Sequence, residues 1–308
     1  MSFSSSVKDE IAAGKLKGER NRRALLAAAT NVAGTITIVS GGMGIRYISE
    51  TYSVGKLVSK LACSLYPVQC ELFIKETETG RKNRSVIADL SGEGCGDIIR
   101  LSGLMDYVDD AYRERMKEEL ICDAETIKSY VKGAFLSAGS VSNPEKAYHL
   151  EMVCRHEGTA QFLCELLESL GIPMKYFERR GAYVVYTKGA ETIFSLLALM
   201  EASDSAIKFE NARMLKTAKN DVVRLTNYEN ANMQKTAKAS AWQLICIEKI
   251  RTHMGLEKLP QALRDVAEAR INNEEASLSE LAAMLDIGKS GVNHRLKKLI
   301  EIAEGIDD

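Results

Sequence analysis

The segment from Lys289 to Leu299 has the composition of a helix that binds nucleic acid. Apolar residues at Val292, Leu296 and Leu299 recur every three to four positions, which predicts one buried stripe along an α-helix. The other positions carry mostly polar or cationic side chains, and no acid occurs before Glu301. Side chains of this kind form hydrogen bonds to bases in the major groove or contact phosphates. The predicted DNA-binding residues are Lys289, Ser290, Asn293, His294, Arg295, Lys297 and Lys298.

The preceding residues predict a partner for this helix. Ser277–Glu280 is a capping box, and Leu278–Leu285 is apolar on one face. A glycine then breaks the chain, so the pattern predicts a helix-turn-helix whose second helix lies in the major groove. Asn293, near the start of that helix, suits base contacts, whereas Lys297 and Lys298 suit phosphates. An ordinary charged surface helix is the alternative, but the cap, the glycine turn and the acid-free helix together favour DNA binding.

The first two-thirds of the chain contain an internal repeat with an offset of 105 residues, which places Gly34 over Gly139 (139 − 34). Each copy has an apolar helix of small residues, followed by Ala-Gly-(Ser/Thr)-aliphatic. The repeated ranges are Leu25–Ile36 with Val131–Val141, and Val54–Leu65 with Thr159–Leu170. The repeat predicts a duplicated half-domain.

This repeat resembles the LAGLIDADG homing endonucleases, in which two helices pack through small residues and each delivers an acid to a shared metal site. The resemblance implies that Ala33 and Ala138 occupy the two acid positions. Metal-assisted cleavage of a phosphodiester needs anionic oxygens, and no Asp or Glu occurs at residues 20–49 or 126–144. We therefore predict a nuclease-shaped domain with no catalytic residue, no metal and no cofactor, so that the chain is not an enzyme. Packed helices of an unrelated α/β domain are the alternative reading.

The predicted fold class is α+β: a pseudo-symmetric duplicated LAGLIDADG-like αββαββα domain, followed by an all-α helix-turn-helix domain. The predicted boundaries are 1–202 for the first domain, 203–243 for a basic helical linker and 244–308 for the second domain. Gly41–Gly44 is predicted to form a turn, and Leu244–His253 a separate helix. Basic residues on predicted strands and hairpins either face phosphates or are simply solvated; they are Arg46, Lys75, Arg81, Lys82 and Arg84.

The bulk composition limits the class of protein. The net charge of −1 excludes a globally cationic protein that wraps DNA, although it allows a local basic face. Seven cysteines without a C-x-x-C pair predict reduced thiols, and neither a signal peptide nor an apolar run of membrane length is evident. These features predict a cytoplasmic protein.

Nearly the whole chain resembles the WhiA family of bacterial regulators. The most specific segments are Met1–Glu10, Gly133–Glu151, Arg224–Asn232 and Lys289–Leu296. The resemblance implies a nucleoid-associated DNA-binding protein in sporulation-gene control, or in cell division and chromosome segregation. Its last helices are similar to the promoter-reading end of sigma factors. One departure is the short break Asp286–Gly288, which leaves the angle between the two helices open.

The implied partners are double-stranded DNA at promoters or in the nucleoid and, in addition, another transcription regulator or RNA polymerase. No membrane and no small-molecule substrate are expected. Two alternative functions stay open: an adaptor whose nuclease-like domain binds a protein partner, and a residual metal-dependent nuclease.

Overall fold

The computed structural model describes residues 2–39, 42–77, 83–105 and 109–306. The chain divides into two compact units, Met1–Lys216 and Thr217–Asp308. Among the described residues, no helix combines the length and apolarity needed to cross a membrane.

The first unit contains the predicted duplication of an αββαββα motif. Helix α1 (Phe3–Ala13) precedes the first copy, and α5 (Asp110–Glu119) connects the two copies. The first copy comprises α2 (Glu19–Ala33), β1 (Thr35–Val39), β2 (Gly42–Ser49), α3 (Tyr52–Leu65), β3 (Gln69–Thr77), β4 (Asn83–Ser91) and α4 (Gly94–Ser102). The second comprises α6 (Ala124–Ala138), β5 (Gly139–Val141), β6 (Leu150–Cys154), α7 (Glu157–Ser169), β7 (Lys175–Arg179), β8 (Ala182–Thr187) and α8 (Ala190–Leu199).

Both copies form four-stranded antiparallel sheets of the same topology. The strand orders are β1-β2-β4-β3 and β5-β6-β8-β7. Side chains alternate across each strand, so that Ile45 and Tyr47 of β2 and Leu150 and Met152 of β6 face the buried core. The shared topology confirms the fold class predicted from the repeat.

The predicted turn at Gly41–Gly44 is wrong for its last three residues. Gly42–Gly44 belong to β2, where Gly42 pairs with Val39 and Gly44 pairs with Thr37. The glycines tolerate an extended backbone as well as a turn, and pairing with β1 selects the extended form. Residue 41 lies outside the described residues.

The two copies meet where α2 packs against α6. Ala24, Ala28 and Ala134 are completely buried there. A Cβ atom added to Gly133 would overlap the carbonyl oxygen of Leu25, so only glycine permits this approach of the two backbones. The small residues of the repeat therefore serve close helix packing.

In the described part of the second unit, every secondary-structure element is a helix. Helix α9 (Ser203–His253) begins in the first unit, and its exposed middle section, residues 217–239, opens the second. The remaining elements are a 3₁₀ turn (Leu256–Lys258), α10 (Gln261–Asn272), α11 (Leu278–Met284) and α12 (Lys289–Glu304).

The prediction of a separate helix over Leu244–His253 is wrong, because these residues are the last turns of α9. No glycine or proline occurs between residues 203 and 253, so nothing in the sequence interrupts the helix there. The domain boundaries after residues 202 and 243 stay a prediction; the first coincides with the start of α9, and the second falls inside this helix.

Candidate nucleic-acid interface

Helix α11 begins at a complete capping box. The backbone N–H of Glu280 donates to Ser277 Oγ at 3.3 Å, and the backbone N–H of Ser277 donates to Glu280 Oε2 at 2.7 Å. Hydrogen bonds from the backbone N–H and the side chain of Ser277 lower the pKa of the Glu280 carboxyl below its ordinary value. The start of α11 is therefore defined by its own sequence.

A short turn connects α11 to α12. Asp286 has a positive φ of 50°, a left-handed conformation that aspartate adopts more readily than most residues. The backbone N–H of Ile287 donates to the carbonyl of Ala282 at 3.1 Å, and Gly288 is the N-cap residue of α12. The predicted break of three residues therefore ends one helix and starts the next.

The stripe predicted on α12 is buried. Val292, Leu296, Leu299 and Ala303 are each at most 2% exposed and pack into the core of the second unit. Burial of these side chains fixes the rotation of α12 about its own axis.

The predicted DNA-binding residues lie on the rest of the α12 surface. Lys289, Ser290, His294, Lys297 and Lys298 are exposed, whereas Asn293 and Arg295 are half-buried. Lys298 Nζ lies 3.2 Å from Glu301 Oε2, so this lysine already has an acidic neighbour. The helix thus presents a basic and polar surface that begins at its N-terminus, where free backbone N–H groups favour anions.

Arg270 holds the loop that leads into α11. Its side chain is 2% exposed, and Nη1 donates to the carbonyl oxygen of Ala276 at 2.6 Å and more weakly to those of Asn273 and Glu274, both at 3.4 Å. Burial lowers the pKa of its guanidinium. Sequence reasoning missed this residue; a cation in the last turn of a helix was the available signal, because such residues often bind the terminal carbonyls.

Ala33 and Ala138 are the last residues of α2 and α6, and both are half-buried. The glycine after each helix is its C-cap residue, as the repeat predicts. Methyl groups at these two positions cannot bind a cation. In the described part of the chain, no cluster of three or more His, Cys, Asp or Glu residues is arranged to hold a metal ion.

A guanidinium group lies at the end of α2. Arg155 Nη1 donates to the carbonyl oxygen of Gly34 at 2.5 Å, and Nη2 donates to Thr35 Oγ1 at 3.1 Å. A fixed positive charge next to Ala33 repels a divalent cation. The sequence did not reveal this contact, because the two residues are 121 positions apart.

The outer face of the first sheet differs from the basic surface of α12. Arg46 forms two hydrogen bonds of 2.6 Å with the carboxylate of Asp89 on the neighbouring strand, so its charge is neutralised locally. Beside this pair, Ile48 and Phe73 are 57% and 42% exposed, and both lie opposite Ile87 in the strand register. The face therefore carries an apolar cluster beside an arginine–carboxylate pair.

The structure describes the other basic residues of this region only in part. Lys75 is exposed on β3. Arg81 and Lys82 lie outside the described residues, and for Arg84 only the backbone, in β4, is described.

The second sheet also has an arginine–carboxylate pair, although its two residues belong to β7 and β6, which lie on either side of β8. Arg179 Nη1 and Nη2 each lie 3.1 Å from an oxygen of Glu151. Val153 and Phe177 both lie opposite Val184 in the strand register, as Ile48 and Phe73 lie opposite Ile87 in the first sheet. Each outer face therefore combines an arginine–carboxylate pair with an apolar cluster.

These features define a protein with a duplicated nuclease-like scaffold that lacks acids at its helix ends, combined with a helix-turn-helix unit. The family model of the WhiA LAGLIDADG-like domain matches residues 127–219, and that of the WhiA C-terminal HTH domain matches residues 222–303. A probable cell division protein WhiA from Clostridium tetani is 37% identical over 99% of this chain and 98% of its own length. The corresponding protein from Alkaliphilus metalliredigens is 36% identical, with the same coverage of both chains. The chain therefore belongs to the WhiA family.

Solved structures show the same architecture. The crystal structure of full-length DUF199/WhiA from Thermatoga maritima matches with a TM-score of 0.60 and 25% identity, covering 100% of both chains. A structure of the N-terminal LAGLIDADG domain of DUF199/WhiA matches with a TM-score of 0.50 and 21% identity. It covers 64% of this chain and 89% of that one, and supports the fold alone.

Proposed function

We propose that this protein binds double-stranded DNA through α12 and has no enzymatic activity. The observation that carries the proposal is the division of α12 into a buried apolar stripe and an acid-free polar surface over residues 289–300. Membership of a family with a C-terminal HTH domain supports the same role.

We infer which part of DNA each side chain contacts from its position along α12. Ser290 and Asn293 are in the first two turns, which in helix-turn-helix proteins reach base edges. Lys297 and Lys298 are further along and contact phosphates, which positions the protein without reading sequence. Lys289, His294 and Arg295 flank these residues and complete the interface.

DNA binding is tested by fluorescence anisotropy with the full-length chain and labelled duplexes. The variant K289A/K297A removes two exposed cations, and we expect it to weaken binding to every duplex, because each lost phosphate contact costs affinity. K258A removes an exposed lysine of the same unit outside α12 and serves as the control. Equal losses in both variants contradict an interface on α12.

Membership of the WhiA family supports a proposal for the cellular role. We infer transcription regulation of sporulation-type genes, or action in cell division and chromosome segregation, by a cytoplasmic protein associated with the nucleoid. Promoter occupancy brings such a protein close to RNA polymerase or another regulator, which are the further partners we infer. Chromatin immunoprecipitation with wild type and K289A/K297A tests this role. Discrete sites that disappear in the variant support it, and an unchanged occupancy map contradicts it.

The absence of nuclease activity rests on Ala33 and Ala138, and on the positive charge of Arg155 at the end of α2. Incubation of plasmid with the protein and Mg²⁺ or Mn²⁺ tests it. Protein-dependent cleavage at specific sites would show that acids from elsewhere in the fold replace the missing pair.

A protein-binding role for the first unit is the second candidate function. The observation that favours it is the repeated outer face of the two sheets, where closed ion pairs leave apolar side chains such as Phe73 and Phe177 about two-fifths exposed. Affinity capture with the full-length variant F73E/F177E is the test. A partner that wild type retains and this variant loses supports an adaptor role, provided that the control K117E/K208E, at exposed positions on helices α5 and α9, retains it.

A further inference from the structure

A cavity of about 700 Å³ opens on the first unit between α1, the loop that follows it and α3. Five cations and a single carboxylate, Asp9, line this cavity, so the formal charge of its lining is +4 (5 − 1). The cations are Lys15, Lys17, Arg22, Lys56 and Lys60. We call this feature the basic cavity. It belongs to a different unit from α12 and plays no part in the proposed DNA interface.

Nearby carboxylates have partners of their own, although Glu201 also lies close enough to act electrostatically on Lys17. Asp9 accepts a hydrogen bond from Ser53 Oγ. Glu10 accepts hydrogen bonds of 2.7 and 3.0 Å from backbone N–H groups at the start of α9. Glu201 forms an ion pair of 2.6 Å with Lys132. The lining of the basic cavity therefore has an excess of positive charge, which would attract a polyanion.

The cations of the basic cavity belong to separate elements of the first unit. Lys56 and Lys60 lie one turn apart on the exposed side of α3. Lys15 and Lys17 belong to the loop between α1 and α2. Arg22, in the first turns of α2, donates from Nε to the carbonyl of Gly18 at 3.4 Å, which orients its guanidinium. Cations from three elements, α3, α2 and the loop between α1 and α2, therefore border the same cavity.

The basic cavity also has an apolar wall. Ala12, Leu16, Leu57 and Leu61 line it and pack against the core of the unit. Its volume lies within the range of about 300–1,000 Å³ that small-ligand pockets occupy. Such a wall suits a planar ring, and the surrounding cations suit a chain of phosphates.

We propose that the basic cavity binds a nucleoside polyphosphate, with its phosphates among the five cations and its nucleoside against Leu16 and Leu57. Phosphates of duplex DNA share part of this chemistry. The bases of a duplex, however, are paired and stacked inside the helix, so they are not available to the apolar wall, whereas the ring of a free nucleotide is.

Isothermal titration calorimetry with the full-length chain tests the proposal, using inorganic tripolyphosphate and ATP as probes at about 0.15 M salt. We expect one molecule of either probe to bind per chain, and K56E/K60E to weaken both by about tenfold or more, because it reverses two charges of the binding set. K117E/K175E makes the same charge change at exposed positions outside the cavity and is expected to leave binding unchanged. Absence of binding, or equal losses in both variants, overturns the proposal.

The apolar wall is tested separately by L57S. This variant is expected to weaken ATP several-fold while tripolyphosphate binds as before, since only ATP has a ring to place there. Equal effects on the two probes contradict the placement of the nucleoside.

A DNA-binding measurement distinguishes the two sources of phosphate. K56E/K60E is expected to bind duplex DNA as K117E/K175E does. The proposal is overturned if K56E/K60E binds DNA more weakly than K117E/K175E while it still binds tripolyphosphate as wild type does. In that case the cavity would be part of a DNA-binding surface. Thermal unfolding checks that each variant is folded. The variant K15E/K17E, in the loop between α1 and α2, provides a second pair of charge reversals in the cavity.

Discussion

Individual side chains of α12 differ in what they can contribute to DNA binding. Lys297 is exposed, whereas Lys298 already lies 3.2 Å from the Glu301 carboxylate. An exposed ion pair of this kind is worth only about 0–1 kcal/mol, so it reduces the availability of Lys298 without removing it. Asn293 is half-buried, which restricts its orientation and suits a directional contact with a base.

The first prediction concerns the division of work between these residues. K297A should weaken binding to all sequences alike and reduce the salt dependence by about one unit of slope, because a phosphate contact is lost. K298A should act in the same direction but less, since Glu301 competes for that lysine. N293A should instead relax base preference by about 1–3 kcal/mol at one position. Competition assays with single-base substitutions measure all three, and equal sequence-independent losses would refute the assigned roles.

At the scale of elements, the helix-turn-helix depends on contacts at the start of α11. Ser277 and Glu280 cap the helix, and Arg270 binds the carbonyls of the loop before it. Trp242, the only tryptophan of the chain, belongs to the second unit, so its fluorescence reports the unfolding of that unit. Both contacts can therefore be tested by the same measurement.

The second prediction is that R270A destabilises the second unit by about 2 kcal/mol or more, because loop carbonyls lose a charged donor in a buried position. Urea unfolding followed by Trp242 fluorescence measures the change. R251A, which removes an exposed arginine of α9, is the matched control and should have little effect. Equal stability of R270A and wild type would show that the loop forms without the guanidinium.

The third prediction is a pH dependence from Glu280. Its pKa is lowered in the folded state by hydrogen bonds from Ser277, so the folded state favours the carboxylate. The resulting stability is fully present above the ordinary pKa near 4.5 and is lost as the pH falls through the lowered value. Unfolding of wild type and E280Q, compared from pH 7 to pH 3, should show a difference that diminishes at the acidic end. A constant difference would contradict this.

At the scale of the whole molecule, local charge matters more than net charge. The chain carries 41 basic and 42 acidic residues, yet acids are absent from residues 287–300 of the predicted interface and are almost absent from the basic cavity. Long-range attraction of the entire protein to DNA is therefore weak, and affinity must come from a small set of contacts.

The fourth prediction is that DNA affinity nevertheless falls steeply with salt. Each phosphate neutralised by a lysine or arginine adds about 0.9 to the slope of log affinity against log salt concentration. The four lysines and arginines of the interface limit the slope to about 3 or 4. Binding isotherms at several salt concentrations measure it. A slope near zero would exclude phosphate contacts, and a much larger slope would place additional cations in the interface.

Sequence alone determined the local features of this protein. The capping box, the stripe of α12 and the duplicated half-domain all depend on residues a few positions apart or on one repeated pattern, and they predicted α11, α12 and the fold class. The alanines at the helix ends were visible in the same way. The extent of α9 was not predicted. A helix boundary was expected after residue 243, although no glycine or proline interrupts the helix there.

Tertiary structure decided the contacts between distant residues. Arg155 meets the end of α2, Arg46 meets Asp89, and lysines from a loop and from α3 share one cavity. No spacing along the chain encodes these contacts, because the packing of α2 on α6 and the strand register set the distances. Local sequence patterns determine which elements form, whereas packing determines which charges are neutralised and which remain free to bind a ligand.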